Sequence, residues 1–447
     1  MRPEWVDSQE PGSAPPLKSS AHSADATGMP RSLDTVEEER APVDAAWIRG
    51  PGETRSVTRQ PILNEQGRVH GYELLFDPPA GDDCQASRAI LDDMVLFGFE
   101  RLTRGLPAFI RCSAEALTDH LVEVLPPPLT VLEIPQPLEI TPKLIDACRA
   151  LRNAGFRLAL VDCTCTHDNP LLQLADYVKV DLTRVSPVVM EGFQQRRKQT
   201  FAALIADNVH SQQDFRQAKD AGFSYFQGFY FCSPEALHNP RVPSNRMVHI
   251  EILQQLFRDP LDLKRLCPLV MRDAGMVYRL LRLVNSPICA IRREIDSVQA
   301  AILALGEIAF RRLATLAIQC EMNAKQPSEL VHMALVRARF CELASHDARL
   351  DANEQYLLGM MSMLPAMLCV PMAALAHELP LRPRVVEALL GAAVPERRLL
   401  DWIEALERRD FSACRGISDI SNLDLEKLNR CYLQAVSWDA QQPSLPE

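Results

Sequence analysis

Hydrophobic residues follow two different rhythms along this chain. From residue 56 to about 243, short apolar runs alternate with helical stretches: "SVTRQPIL", "RVHGYELLF", "PAFIRC", "LTVLEI", "FRLALVD", "DYVKVD", "TFAALIA" and "FSYFQGFYF". Near-continuous apolar runs of this length predict buried strands, and their alternation with helices predicts a parallel sheet covered on its outer face. Between two of them, "TPKLIDACRALRNAG" places Leu144, Ile145, Cys148 and Leu151 on one helical face, with Gly155 as the stop. Eight runs predict a closed α/β barrel of the (β/α)8 type. The alternative is an open doubly wound sheet, but no glycine-rich phosphate loop follows any strand.

From 247 to 437 the second rhythm takes over. "MVHIEILQQLF", "VYRLLRLVNSP", "SVQAAILALG", "EIAFRRLATLAIQC", "ELVHMALVRARFCELA" and "YLLGMMSMLPAMLC" all show helical spacing, which predicts a compact all-α domain. No heptad persists, so it is not a coiled coil. The junction "SPEALHNPRVPSN" carries three prolines, as a boundary should. Residues 1–55 are rich in Ser, Pro, Ala and acids and keep no apolar period. They read as a disordered tail whose deletion should leave the melting temperature unchanged.

Composition narrows the picture further. A chain of 447 residues with 47% hydrophobic and 24% charged positions suits a soluble globular protein. A net charge of −10 argues against a general nucleic-acid binder. The opening segment has neither a signal-peptide nor a membrane-span pattern, so the expected location is cytoplasmic, with no membrane partner. Thirteen singly scattered cysteines fit reduced thiols there, and in "LIDAC" and "LAIQC" they read as small core residues.

In a barrel of this kind, chemistry sits where the strands end. Reading the strand ends gives Glu73, Arg111, Glu133, Asp162, Lys179, Asp181, Asp207 and Gln227. Carboxylates converging on one rim suit a hard-cation or phosphate site. A set of helix caps and rim ion pairs is the alternative that the residues alone leave open.

The segments "RQPILNEQGRVHGYELLF", "VLEI", "LALVDC", "YVKVD" and "FSYFQGFYF" together resemble the EAL domain family over nearly all of residues 57–235. The resemblance implies a barrel phosphodiesterase that cleaves cyclic di-GMP with two divalent cations, and "GYELLF" stands where its Glu-Ala-Leu signature falls. The helical half resembles the HDOD family. "LLRLVNSPICAIRREIDSVQAAILALG" carries its Asn-Ser turn and its Ile-x-Ser-Val helix, and "ALVRARFCELA" and "YLLGMMSMLPAML" continue the match. The order resembles bacterial two-domain EAL–HDOD signalling proteins, with a barrel over 56–243 and an HDOD domain over 247–437.

Against that family, Glu73, Glu133, Asp162, Lys179, Asp181 and Gln227 match metal, lysine and glutamine positions. Three others depart. Arg111 stands for an Asn ligand, Val161 for the first of two aspartates, and Asp207 with His210 for a Glu-x-Val-Glu whose first Glu is the base. A guanidinium puts positive charge where a dication should sit, and valine removes both a ligand and its charge. Asp207 is one methylene short of Glu, a misplacement of about 1 Å that costs on the order of 100-fold in rate. The segment between "GYELLF" and "PAFIRC" is also shortened. The expectation is a vestigial pocket with no catalytic residue and no metal, in which Arg111 pairs with Glu133 or Asp181 in place of the cation.

Cys163, Cys165 and His167 in "LALVDCTCTHDN" alternate so that an extended segment could present them together, but zinc needs four ligands and no paired Cys-x-x-Cys lies nearby. The stretch reads as the remnant of a magnesium loop. In the helical half, Ser362 and Met363 stand where metal-binding HD relatives carry His-Asp. His346-Asp347 reads as a solvated turn, and His332 as a core histidine. These readings lead to a non-enzymatic signalling adaptor, without cofactor, that contacts other signalling proteins through the HDOD domain. A weak cyclic di-GMP phosphodiesterase and a cyclic di-GMP receptor that binds without cleavage stay open beside it.

Overall fold

A computed structural model describes residues 56–77, 99–136, 138–162, 169–185, 202–232, 244–258, 260–271, 274–285, 289, 295, 297–322, 327–376 and 381–441. They all belong to one compact unit spanning 50–447. The tail, the shortened segment after Phe76 and the stretch Cys163–Asp168 fall outside the described residues, apart from Ser56, Asp77 and the residues from Phe99 on.

Eight strands close a barrel in sequential order: β1 Val57–Asn64, β2 Val69–Phe76, β3 Ala108–Arg111, β4 Thr130–Pro135, β5 Arg157–Val161, β6 Tyr177–Asp181, β7 Ala203–Asp207 and β8 Tyr225–Gln227. The neighbours from β2 to β8 pair in parallel. The sheet is not wholly parallel, because β1 runs antiparallel to both β2 and β8. The reason is local. Asn64 Oδ1 accepts hydrogen bonds from the backbone N–H of Gln66 (3.0 Å) and Arg68 (2.9 Å), and Gly67 takes φ +75°. That four-residue turn folds the chain back on itself, whereas a parallel pair needs a crossover of a dozen residues or more.

Among the described residues, four α-helices lie between barrel strands, one of them where the spacing of "TPKLIDACRALRNAG" predicts it. In the barrel these are α1 Phe99–Thr103, α2 Ala114–Thr118, α3 Pro142–Asn153 and α4 Gln212–Asp220. The Thr141 hydroxyl caps α3 by accepting from Leu144 N–H at 3.2 Å, Pro142 occupies the first turn, and Leu144, Cys148 and Leu151 are buried. Ile145 is only half-buried, at the edge of that face.

Ile62, Phe109, Val131, Ala159, Tyr177 and Ile205 form an apolar layer inside the barrel. Side chains alternate across a strand, so the residue two positions toward the mouth points to the same interior. On these six strands that residue is Gln60, Arg111, Glu133, Val161, Lys179 or Asp207. The interior therefore changes from apolar to charged within one step of the pleat.

The second half is helical: α5 Ser244–Leu256, α6 Leu263–Val270, α7 Ala274–Val284, α8 Val298–Leu305, α9 Glu307–Met322, α10 Glu329–Ala348, α11 Ala352–Met361, α12 Leu364–Leu368, α13 Met372–Ala376, α14 Pro383–Leu389, α15 Arg398–Glu407, α16 Phe411–Ser421 and α17 Leu425–Ala440. The long α10 is its axis and packs on α11, α15 and α17. A Cβ on Gly359 of α11 would lie 2.6 Å from backbone atoms of Arg337 and Ala338, so only glycine lets α11 come this close to α10. Phe340 of α10 stacks on the fully buried Trp402 of α15, ring centroids 5.1 Å apart. His346 and Asp347 belong to the last turn of α10 rather than to a separate turn, and the His346 side chain is almost fully exposed.

Barrel and helices share a buried polar seam. Tyr72 of β2 donates its hydroxyl proton to Glu329 at 2.8 Å, and Arg59 of β1 pairs with Asp439 of α17 at 2.8 Å. The other oxygen of Asp439 contacts His332 Nδ1, also at 2.8 Å. His332 is thus a core histidine with a partner. Every member of this seam is buried and satisfied by another, the condition under which buried polar groups do not destabilise a fold.

Candidate functional site at the barrel mouth

The charged layer is organised around one carboxylate. Glu73 Oε2 lies 2.9 Å from Lys179 Nζ and 2.7 Å from Arg409 Nη2, and it also accepts a short hydrogen bond from the Gln227 side-chain amide. Lys179 is 1% exposed and also donates to Glu133 at 3.0 Å, with Asp207 at 3.9 Å. Gln227 and Arg409 both donate to the side-chain amide oxygen of Gln60, Oε1. Arg409 stands 3.6 Å from Asp207.

Burial and neighbours set the charge states. Burial pushes the Glu73 carboxyl up, but the Lys179 ammonium and the Arg409 guanidinium outweigh it and hold Glu73 below the usual carboxylate range. Glu133 goes the other way: burial first, then the negative charge of Glu73, raise it to about 8 despite Lys179. Its second oxygen is buried with no hydrogen-bond partner among the described residues. Burial opposes the charge of Lys179, yet Glu133, Glu73 and Asp207 more than compensate and keep it protonated.

The remaining rim residues stand apart from this cluster. Asp181 accepts from the Thr183 N–H (2.9 Å) and hydroxyl (2.6 Å), with Arg184 at 3.3 Å. Burial raises Asp181, but the bonds from Thr183 and Asn208 hold it below its ordinary value. Arg111 pairs with neither Glu133 nor Asp181, contrary to the expectation from sequence. Its side chain is 54% exposed and, among the described residues, pairs with Asp162 at 3.4 Å. Asp162 itself sits at φ +58° immediately after β5. Arg111 ends a four-residue strand at the lip of the barrel, too near solvent to be drawn inward. The inward guanidinium comes instead from Arg409, in the turn between α15 and α16. Nothing in the local pattern "LERRDFS" marks that residue, whereas Gln60 was visible as the inward neighbour of Ile62 on β1. Among the described residues, no three His, Cys, Asp or Glu side chains are grouped so as to hold a metal ion.

Comparison with known proteins places the two halves. A family model described as the HDOD domain matches residues 242–374. Two near-full-length relatives each cover 86% of this chain. One is the uncharacterized protein YuxH of Bacillus subtilis, 28% identical over 400 residues and covered to 97%. The other is the Vibrio cholerae protein named cyclic di-GMP phosphodiesterase CdgJ, 29% identical over 401 residues and covered to 92%. The HDOD match on the helical half, joined to a closed eight-stranded barrel, supports an EAL–HDOD architecture. Solved structures similar to the barrel include the calcium/cyclic di-GMP complex of Klebsiella pneumoniae BlrP1, at 20% identity and a TM-score of 0.35, covering 41% of this chain and 56% of that one. The EAL domain of Mycobacterium smegmatis DcpA matches at 18% identity and a TM-score of 0.34, covering 39% and 90%. The segment from α14 to α17 lies beyond the HDOD match, and it carries Arg409, Tyr432 and Asp439, three of the groups that touch the barrel. No helix among the described residues is long and apolar enough to cross a membrane.

Proposed function

We propose that this protein is a non-enzymatic bacterial signalling adaptor of cyclic di-GMP-linked circuits, in which a degenerate EAL barrel is joined to an HDOD platform that contacts other proteins. The observation that carries the reading is how the mouth carboxylates are already matched. Glu73 is shared by Lys179 and Arg409, Asp162 faces Arg111, and Asp181 is held by Thr183 and Arg184. The two divalent cations implied by the EAL resemblance do not fit this donor set. A two-metal site holds both ions on free carboxylates with a water activated between them. Here two protein cations stand against Glu73, Glu133 favours its neutral form, and a valine and an arginine occupy two ligand positions. The location consistent with this role is the cytoplasm.

A second reading, a weak cyclic di-GMP phosphodiesterase around one cation, draws on the 29% identity to a relative named for that activity. A third, a cyclic di-GMP receptor that binds without cleavage, draws on Lys179 and Gln227 facing the mouth. Titration calorimetry with cyclic di-GMP, with and without Mg²⁺, together with a turnover assay in Mg²⁺ or Mn²⁺, separates the three. The adaptor is expected to show no turnover. Hydrolysis above background that disappears in Glu73→Ala would end it in favour of the enzyme.

A further inference from the structure

We infer that Arg409 is an interdomain latch: its guanidinium fills a cation position at the barrel mouth, so a divalent cation at Glu73 and the docked α15–α16 turn exclude each other. The side chain comes from the helical half, yet it meets the barrel residue Glu73 across 336 positions of sequence. It is not a loose surface group. Arg409 is only 25% exposed, and its Nη2 donates to the side chains of both Gln60 and Glu73 of the barrel.

The backbone that presents it is built for this purpose. Arg409 sits at φ +66°, a left-handed conformation that a non-glycine residue adopts at a cost. The turn is held on both sides: Arg409 N–H donates to Leu406 O at 3.0 Å and Asp410 N–H to Ala405 O at 2.9 Å. The Asp410 carboxylate then caps α16 by accepting from Ala413 N–H at 2.9 Å. A second tie lies one turn further on, where Arg415 of α16 pairs with Asp77 just past the end of β2. The strained residue is therefore fixed between two rigid helices and aimed at the barrel.

Geometry makes the occupancy exclusive. A divalent cation ligated by Glu73 would stand about 2.0–2.6 Å from its oxygen. Arg409 Nη2 is already 2.7 Å from Glu73 Oε2, and Lys179 Nζ, on the same oxygen, is at 2.9 Å. A third positive centre cannot enter that oxygen's shell while both remain. Lys179 projects from a barrel strand and is wholly enclosed, whereas Arg409 reaches the same oxygen from the turn between α15 and α16. The cation and the latch are then linked reciprocally: whatever favours one at Glu73 weakens the other to the same degree.

The test uses the full chain and Mn²⁺ alone as the probe, with free Mn²⁺ followed by electron paramagnetic resonance and folding checked by near-ultraviolet circular dichroism. Arg409→Ala is expected to bind Mn²⁺ at least ten-fold more tightly than the parent, and adding Glu73→Gln should remove the gain. Arg409→Gln, which keeps a donor for Gln60 and loses the charge, should gain affinity as well and guards against a poorly folded alanine variant. Affinity unchanged from the parent in the folded variants, or a gain that survives Glu73→Gln, overturns the latch. Turnover of cyclic di-GMP measured alongside keeps the questions distinct. A variant that gains Mn²⁺ supports the latch whether or not it hydrolyses cyclic di-GMP, whereas hydrolysis by the parent itself ends the non-enzymatic adaptor.

Discussion

Two arginine–carboxylate pairs lie at the mouth of the same barrel, and they differ in almost everything that decides their worth. Arg111 ends β3 and Asp162 follows β5, with β4 between them; they lie 3.4 Å apart and are 54% and 24% exposed. Arg409 and Glu73 come from opposite halves of the chain, lie 2.7 Å apart, and share a pocket in which Glu73 is 3% exposed. Water screens the first pair, so its attraction competes poorly with the entropy of holding two side chains still. The second pair has little water to fall back on, and losing one partner leaves a charge buried and uncompensated. A matched charge pattern in sequence is therefore no guide to which pair matters. Depth in the fold is.

The sharpest way to break this comparison is to remove the buried cation on the barrel side. Lys179→Met leaves Glu73 and Glu133 facing each other with only Arg409 nearby, and it should cost about 3–5 kcal/mol of stability in urea unfolding. A loss below about 1 kcal/mol would mean that the cluster is wetter than its burial indicates.

A pH series sharpens it further. In the folded protein the Glu133 carboxyl is raised to about 8, against an ordinary 4.5. The folded state thus keeps this proton longer than the unfolded chain does. The stability this group contributes is fully present below about 4.5 and is lost as the pH rises through about 8. Glu133→Gln is neutral throughout, so its stability relative to the parent should improve between pH 5 and pH 9 by on the order of 1 kcal/mol or more. Parallel stability curves for the two proteins over that range would show that Glu133 is ionised in the fold. Glu73 has the opposite sign: its depressed value gives stability that is present above about 4.5 and is lost as the pH falls further.

The smallest effect belongs to the exposed pair. Arg111→Ala should change stability by no more than about 1 kcal/mol, and 0.5 M salt should remove most of that. A loss above about 2 kcal/mol would return Arg111 to the structural role that its place in the sequence implies.

Much of the site is nevertheless written in the chain. The apolar residues Phe109, Val131, Ala159, Tyr177 and Ile205 are each followed, two positions on, by Arg111, Glu133, Val161, Lys179 and Asp207. A strand has a fixed period of two, so once the runs are read as strands of a closed barrel, all of these but Arg111, which ends its strand at the exposed lip, face the interior near the mouth. Glu73 and Gln227 follow from the same logic on β2 and β8. The hairpin before β2 was legible in part, in Asn64 and Gly67, although the apolar runs alone suggested an all-parallel sheet.

Which positive group neutralises Glu73 was not legible, and the reason is physical. Strand period and helix period are local properties, fixed by residues two to four positions apart. The Arg409–Glu73 contact joins positions 336 apart and depends on how α15 and α16 come to rest against β1 and β2. That placement comes from the packing of α10, α15 and α17 and from the buried seam of Tyr72–Glu329 and Arg59–Asp439. Each is a sum of many contacts that no short motif encodes. The sequence by itself determined a barrel, a helical partner and a ring of inward charges at the mouth. Only the tertiary structure decided that Arg111 stays in water while an arginine from the other half closes the ring.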